Sequence, residues 1–155
     1  MRRRRADKRE VQPDPFFNSE IVGKFVNLIM ERGKKSVAQK IVYECFKIMS
    51  DRLKDDPVKL FLKAINNARP RVAVKPRRIG GATYQVPVEV NEERGYAIAM
   101  RWIRDTARGK KGKPMHVKLA EELISAYKGE GSVIKKRDDT HKMAEANKAF
   151  AHFKF

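Results

Sequence analysis

Cysteine occurs once in this chain, at Cys45, so no intrachain disulfide can form and no Cys-x-x-Cys metal site exists. On the apolar side of a helical pattern, Cys45 reads as a small core hydrophobe. Histidine is also scarce. His116, His141 and His152 have no helix-adjacent partner at metal-ligand spacing. No apolar run approaches the roughly 18 residues a membrane span requires. The basic N-terminus lacks the apolar stretch of a secretory signal. A reducing, cytosol-like compartment without membrane attachment is the expectation. Converging carboxylates are missing as well. Glu121-Glu122 and Asp138-Asp139 are sequence neighbours, so on a helix they point about 100° apart and share no proton. Gly109-Lys110-Lys111-Gly112-Lys113-Pro114 lacks the GxxxxGK[ST] pattern and follows no strand, so it is not a phosphate-binding P-loop. The chain reads as a protein without enzymatic activity, cofactor, metal or small-molecule substrate.

Positive charge is what the chain has in excess. Among 155 residues, 36 Lys+Arg stand against 19 Asp+Glu, a net charge of +17. Such a charge repels itself in a free protein and is matched by a polyanionic partner. The basic residues fall in separate segments, which suits nucleic acid better than a membrane surface, where one amphipathic helix would carry them. Hydrophobic residues make up 41% of the chain, enough for a globular core in a domain of this length.

Helical periodicity dominates. Residues 1–18 begin with Arg2-Arg3-Arg4-Arg5, then Lys8 and Arg9, and read as a basic extended tail ordered by a charged partner. Phe16 and Phe17 would dock its end on the core. Residues 19–155 form the helical domain. Its first helix starts at Asn18 or Ser19 with Ile21, Val22, Phe25, Val26 and Ile29 inward, and stops at Gly33. A second spans 36–54, with Val37, Ile41, Cys45, Ile48 and Met49 on one side and Val42 and Phe46 widening the stripe. Asp56-Pro57 opens a third, with Leu60, Phe61, Ala64, Ile65 and Ala68 inward and Pro70 at its end. Asn91 caps a fourth, with Tyr96, Ala97, Met100, Ile103 and Ala107 in one stripe. Arg101, Arg104 and Arg108 share another of its faces, either salt-bridged in solvent or turned to RNA. A fifth helix runs from 115 to 128 with Leu119, Ala120, Leu123, Ile124 and Tyr127 inward. A sixth runs from about 132 to 148, and its early turns carry Lys135-Lys136-Arg137 against the helix dipole.

One stretch departs from this pattern. From Arg69 to Val90 the apolar residues alternate on both sides of Gly80-Gly81, the signature of a hairpin. Between Arg69 and Thr83 there are five basic residues and no acidic one. Two strands alone are marginal in water. The segment about 71–90 therefore reads as a supported β-ribbon arm that presents Lys75, Arg77 and Arg78 to a polyanion, or as a hairpin packed on helices with solvated charges. The fold class is mainly α, a single-domain bundle of about six helices with a two-stranded ribbon between helices 3 and 4. Dispersed patches and a long tail suit an irregular folded RNA. A nucleoid or regulatory DNA-binding protein is the alternative.

Several blocks carry a family resemblance. They are the Arg2–Arg5 tail, the run from Ser19 to Val26, Gly33-Lys34-Lys35 before Ile41-Val42-Tyr43-Glu44-Cys45, and Arg77 to Pro87. Arg101-Trp102, Lys135-Lys136-Arg137 and Met143 to His152 complete them. Over essentially its whole length the chain resembles the small-subunit ribosomal protein seven family in its bacterial form. Asn18 stands where many relatives have glycine, and asparagine also tolerates the left-handed turn. Phe155 stands where relatives often end in tryptophan. The resemblance implies a cytoplasmic protein of the ribosome, a primary binder of the 3′ major domain of 16S rRNA that nucleates head assembly. It places the arm near the exit-site tRNA and the mRNA exit region, and the small-subunit proteins nine and eleven among the partners. The rRNA-binding candidates are Arg2, Arg3, Arg4, Arg5, Lys8, Arg9, Lys34, Lys35, Lys75, Arg77, Arg78, Arg101, Lys110, Lys111, Lys113, Lys135, Lys136, Arg137, Lys142 and Lys148. Arg77, Arg78, Gly80, Gly81 and Tyr84 are the tRNA- and mRNA-proximal positions of the arm.

Overall fold

The computed structural model describes residues 10–153. The candidate contacts Arg2, Arg3, Arg4, Arg5, Lys8 and Arg9 lie outside the described residues, as do Lys154 and Phe155. In chain order the elements are α1 (Glu20–Ile29), α2 (Lys35–Leu53), α3 (Pro57–Ala68), β1 (Val72–Ile79), β2 (Ala82–Glu89), α4 (Glu92–Gly109), α5 (Met115–Lys128) and α6 (Ser132–Ala146). A 3₁₀ segment, Lys148–Phe153, follows. The mainly helical domain with a two-stranded ribbon between α3 and α4 is the observed architecture.

Two of the expected helix caps form. The Asp56 carboxylate accepts the Val58 N–H at 3.2 Å, and Pro57 occupies the first helical position of α3. The Asn91 side chain accepts the Arg94 N–H at 3.2 Å, starting α4. Ahead of α1, Asn18 takes the left-handed φ of 48° its turn requires, and Ser19 occupies the N-cap position without a side-chain capping hydrogen bond. α1 ends earlier than expected, at Ile29, and Gly33 (φ 74°) serves the following turn instead. α3 buries Leu60, Phe61, Ala64, Ile65 and Ala68, the stripe its spacing predicted. α2 is rotated from expectation: Ala38, Val42, Cys45, Phe46 and Met49 are buried, whereas Val37 is 51% exposed. In α5, Glu122 and Ala126 are buried in place of Ile124 and Tyr127, which pack half-buried at the core's edge.

The core lies where α5 packs against α2, α3 and α4. Ala120 and Ala126 let those neighbours approach closely, and Leu119 and Leu123 fill the space between them. Phe61 contacts Phe25 at 4.9 Å and Phe46 at 5.1 Å between ring centroids, and all three are fully buried. Full burial of such side chains contributes about 2–3 kcal/mol each.

Residues ahead of α1 belong to this structure too. Asp14 is buried and accepts the Tyr43 hydroxyl at 2.9 Å and the N–H groups of Phe16 and Phe17 at 3.1 and 3.2 Å. Gly23 in α1 faces this segment so closely that a Cβ there would stand 2.8 Å from the Gln12 carbonyl oxygen. Phe17 then packs on Phe46 at 5.2 Å.

The hairpin is antiparallel, in a register that pairs Val72 with Glu89, Val74 with Pro87, Arg77 with Tyr84 and Ile79 with Ala82. Gly80 (φ 56°) and Gly81 (φ 89°) make the turn, a geometry that disfavours any residue with a Cβ. The missing third layer is helical. α6 packs on both strands, and the 3₁₀ segment packs on β2. Val86 is the residue of the hairpin buried most deeply against them. Tyr84 meets Phe150 at 5.2 Å and Phe153 at 5.4 Å. The arm is thus a ribbon lying on helices along one side, with its cationic distal part exposed.

Candidate nucleic-acid interface

Exposed cations emerge from several separate elements. In the α1–α2 turn, Arg32 (φ 51°) and Gly33 reverse the chain. Lys34 then stands at the N-cap position of α2, without a side-chain capping bond, and Lys35 begins the helix, both exposed. The helix dipole opposes cations at that end, so these two lysines are set for an external anion rather than for the helix. On β1, Lys75, Arg77 and Arg78 are exposed near the turn. On α6, Lys135 and Lys136 are exposed, with the Lys136 ammonium 5.5 Å from the Trp102 ring centroid. Lys142 on α6 and Lys148 in the 3₁₀ segment are exposed as well.

Other predicted site residues are engaged inside the protein. Lys110 pairs with the buried Glu122 at 2.5 Å, and Lys113 with Glu121 at 2.5 Å. The hydrogen bond from Lys113 holds the Glu121 carboxyl below the usual carboxylate range. Lys118 donates to the Lys110 carbonyl, so the α4–α5 loop is laced to α5. Lys111 in the same loop is exposed and makes no such pair among the described residues. Arg137 donates to the Asn67 carbonyl at 2.5 Å and pairs with Asp138 at 2.6 Å, tying α6 to α3.

The arginine face of α4 divides in the same way. Arg104 pairs with Asp105 at 2.7 Å, and this hydrogen bond lowers the Asp105 pKa. Arg108 reaches Glu31 at 2.8 Å and the Ile29 carbonyl at 3.2 Å, closing the end of α1. Arg101 is exposed, with its Nε donating to the Ala97 carbonyl at 3.1 Å. Of the arm positions, Gly80 and Gly81 lie at the exposed turn, whereas the Tyr84 ring is half-buried on Phe150 and Phe153.

Arg32, Arg69 and Arg71 were not among the sequence candidates. Arg69 is the C-cap residue of α3 and pairs with Glu92 at 2.6 Å. Arg71 precedes β1, and its backbone N–H donates to His141 Nε2 at 3.0 Å. Burial, followed by the nearby Arg137 guanidinium, lowers the His141 pKa. The available signal was the Arg69-Pro70-Arg71 triplet at the root of the hairpin, whose partners come later in the chain: Glu92 for Arg69 and His141, 70 positions on, for Arg71. Among the described residues no group of three His, Cys, Asp or Glu side chains is placed to hold a metal, and no helix is long and apolar enough to cross a membrane.

A family model described as Ribosomal protein S7p/S5e matches residues 1–148. The chain is similar to the small ribosomal subunit protein uS7 of Thermotoga maritima, 55% identical over 155 residues and covering 100% of both chains. It is 56% identical to the protein of that name from Pseudothermotoga lettingae and 59% to that from Fervidobacterium nodosum, again over 100% of each chain.

Proposed function

This chain belongs to the ribosomal protein S7p/S5e family, and from that premise we propose that it binds the 3′ major domain of 16S rRNA directly and nucleates assembly of the head of the small subunit. As a family member it is a structural, non-enzymatic component of the small ribosomal subunit, in the ribosome in the cytoplasm, with rRNA as its partner class. That membership displaces the DNA-binding alternative.

The observation that carries the proposal is the distribution of exposed cations over one helical platform. Lys34 and Lys35 at the start of α2 and Lys135 and Lys136 on α6 stand on helices that share the core, and Lys75 and Arg78 stand on the arm, which packs on α6. A platform that engages several RNA helices at once fixes their relative orientation, which is what nucleation requires. Arginine favours bidentate phosphate contacts, and lysine acts as a point charge. In this reading Arg2, Arg3, Arg4, Arg5, Lys8 and Arg9 add further phosphate contacts. The arginine-rich start of the basic tail is the part ordered on RNA, while the tail's end, with Asp14 and Phe17, docks on the domain formed by residues 19–155. The distal arm, with Arg77, Arg78 and the Gly80-Gly81 turn, reaches toward exit-site tRNA and the mRNA exit region. Small-subunit proteins nine and eleven lie alongside.

Chemical footprinting of small-subunit rRNA with the full chain tests this. Protections confined to the 3′ major domain are expected, and competition by duplex DNA should be weak. Protections scattered over the rRNA, or equal displacement by duplex DNA, would sink the proposal.

A further inference from the structure

At the root of the arm a niche of about 360 Å³ is lined by Asn66, Asn67, Arg69, Arg71, Arg137 and His141. These residues come from the end of α3, the α3–β1 connection and α6, so three parts of the fold converge there. Two of the guanidiniums are held in place. Arg137 is fixed by the Asn67 carbonyl and Asp138. Arg69 is fixed by Glu92 and lies 5.1 Å from the Tyr96 ring centroid. Each of these contacts uses only part of a guanidinium's five donors. Arg71 is the reverse case. Its backbone is fixed, with its N–H donating to His141 and its carbonyl accepting the Val90 N–H at 2.9 Å. No hydrogen bond or ion pair among the described residues holds its guanidinium. The niche lining holds three guanidiniums and no carboxylate; Arg69 and Arg137 each pair with one carboxylate outside that lining, and Arg71 with none, which leaves the niche positive.

We propose that this niche clamps one phosphodiester of an RNA strand, with Arg69 and Arg137 as the preset donors and Arg71 closing on the phosphate. The inference rests on the rRNA-binding reading above and extends it to a site that reading did not name. Planar guanidinium forks match paired phosphate oxygens. Donors already held by the protein lose little entropy on binding. A strand, rather than a free ion, is favoured because exposed Lys135, Lys136 and Lys142 continue the positive charge along α6. A phosphate bound here touches α3, the arm root and α6 together, so it sets the angle at which the ribbon leaves the domain.

His141 reports on occupancy. Its Nε2 accepts the Arg71 N–H, so the neutral ring carries its proton on Nδ1. Burial first, then Arg137 and Arg71, press its pKa down and Asp138 opposes them, with Glu89, Glu145 and Lys148 beside it on the arm, α6 and the 3₁₀ segment. An anion in the niche adds a raising contribution.

The test follows the His141 ring by NMR in the full chain during titration with the dinucleoside monophosphate UpU and, separately, with inorganic phosphate. UpU is expected to raise the His141 pKa by about half a unit or more. The response should vanish in Arg71→Gln and survive in part in Arg71→Lys. Arg71→Gln should also flatten the salt dependence of rRNA-fragment binding by about one charge, with its melting temperature confirming the fold. A wild-type His141 that ignores UpU, or responds only to inorganic phosphate, would overturn the phosphodiester site. An unchanged salt slope in folded Arg71→Gln would overturn it too. Wild-type protein that fails to bind rRNA defeats the broader reading instead, and the UpU titration still decides the niche.

Discussion

Single residues here divide into those that hold the fold and those left for a partner, and two of the three α4–α5 loop lysines, Lys110 and Lys111, separate the classes. Lys110 partners Glu122, whose side chain is 4% exposed and whose second oxygen has no hydrogen bond within the described protein. Lys110→Met strips a buried carboxylate of its counter-charge, and urea unfolding should show a loss of about 2–3 kcal/mol, below the full buried-pair value because Lys110 is partly exposed. Lys111→Met should stay within about 0.5 kcal/mol of wild type yet weaken rRNA-fragment binding. Equal stability losses for the two variants would remove the distinction. Cys45 makes a pH prediction. It is fully buried, and burial pushes its thiol pKa far above the ordinary value. A folded-state pKa raised in this way leaves its stabilisation intact below the unfolded thiol's value and erodes it as pH rises past that value. Relative to Cys45→Ala, wild-type stability should decline above about pH 8.5 by up to about 1.4 kcal/mol per pH unit. Tyr43 and Tyr96, whose pKa values are also raised, are common to both proteins and cancel. Parallel stability curves for the two proteins across that range would contradict the assignment.

The arm is the element whose surroundings matter most. Its register and glycine turn follow from sequence, but its support consists of α6 and the 3₁₀ segment, which come much later in the chain. Tyr84→Ala removes the ring that meets Phe150 and Phe153, contacts worth about 0.5–1.5 kcal/mol beyond area burial. Hydrogen exchange in β2 should then quicken while the core helices α3 and α5 keep wild-type protection. Unchanged exchange in β2 would mean the aromatic contact does not steady the ribbon. Legibility varied from element to element for physical reasons. α3 was readable throughout because its apolar residues occupy one stripe between an Asp-Pro start and a proline stop. α2 was misphased because Ile41 and Ile48 flank Val42 and Cys45 with equal hydrophobicity, and only its neighbours decide which side is covered. The exposed candidates Lys34, Lys35, Lys75 and Arg78 were found from local charge and turn signals. What local pattern cannot show is whether a lysine has a distant carboxylate, as Lys110 does, or whether Arg137 reaches the Asn67 carbonyl. Arg69 and Arg71 escaped selection for the same reason. They become a site only when α6 is folded against the α3–β1 connection.

At the scale of the whole molecule, a net charge of +17 makes opposite demands on the free and bound protein. In the free protein the cations repel one another, and mobile ions screen that repulsion over a Debye length of about 10 Å at 0.1 M salt. Added salt should therefore raise the melting temperature of the isolated chain. In the complex the same cations displace counterions condensed on RNA, so added salt should weaken binding. If about eight phosphates are neutralised, log affinity should fall against log salt with a slope of roughly −6 to −7. The two responses have opposite signs and a common cause, so measuring both on one preparation discriminates between mechanisms. A protein held together mainly by surface ion pairs such as Arg104–Asp105 and Lys113–Glu121 would instead lose stability as salt is added. A protein that recognised RNA chiefly by stacking on exposed rings would show a shallow slope. The expected pairing is a melting temperature that rises from about 50 to 200 mM salt while rRNA affinity drops by several orders of magnitude. A falling melting temperature with a steep slope would leave RNA binding intact and refute self-repulsion as a cost of the free state. A rising melting temperature with a flat slope would refute phosphate neutralisation as the basis of affinity.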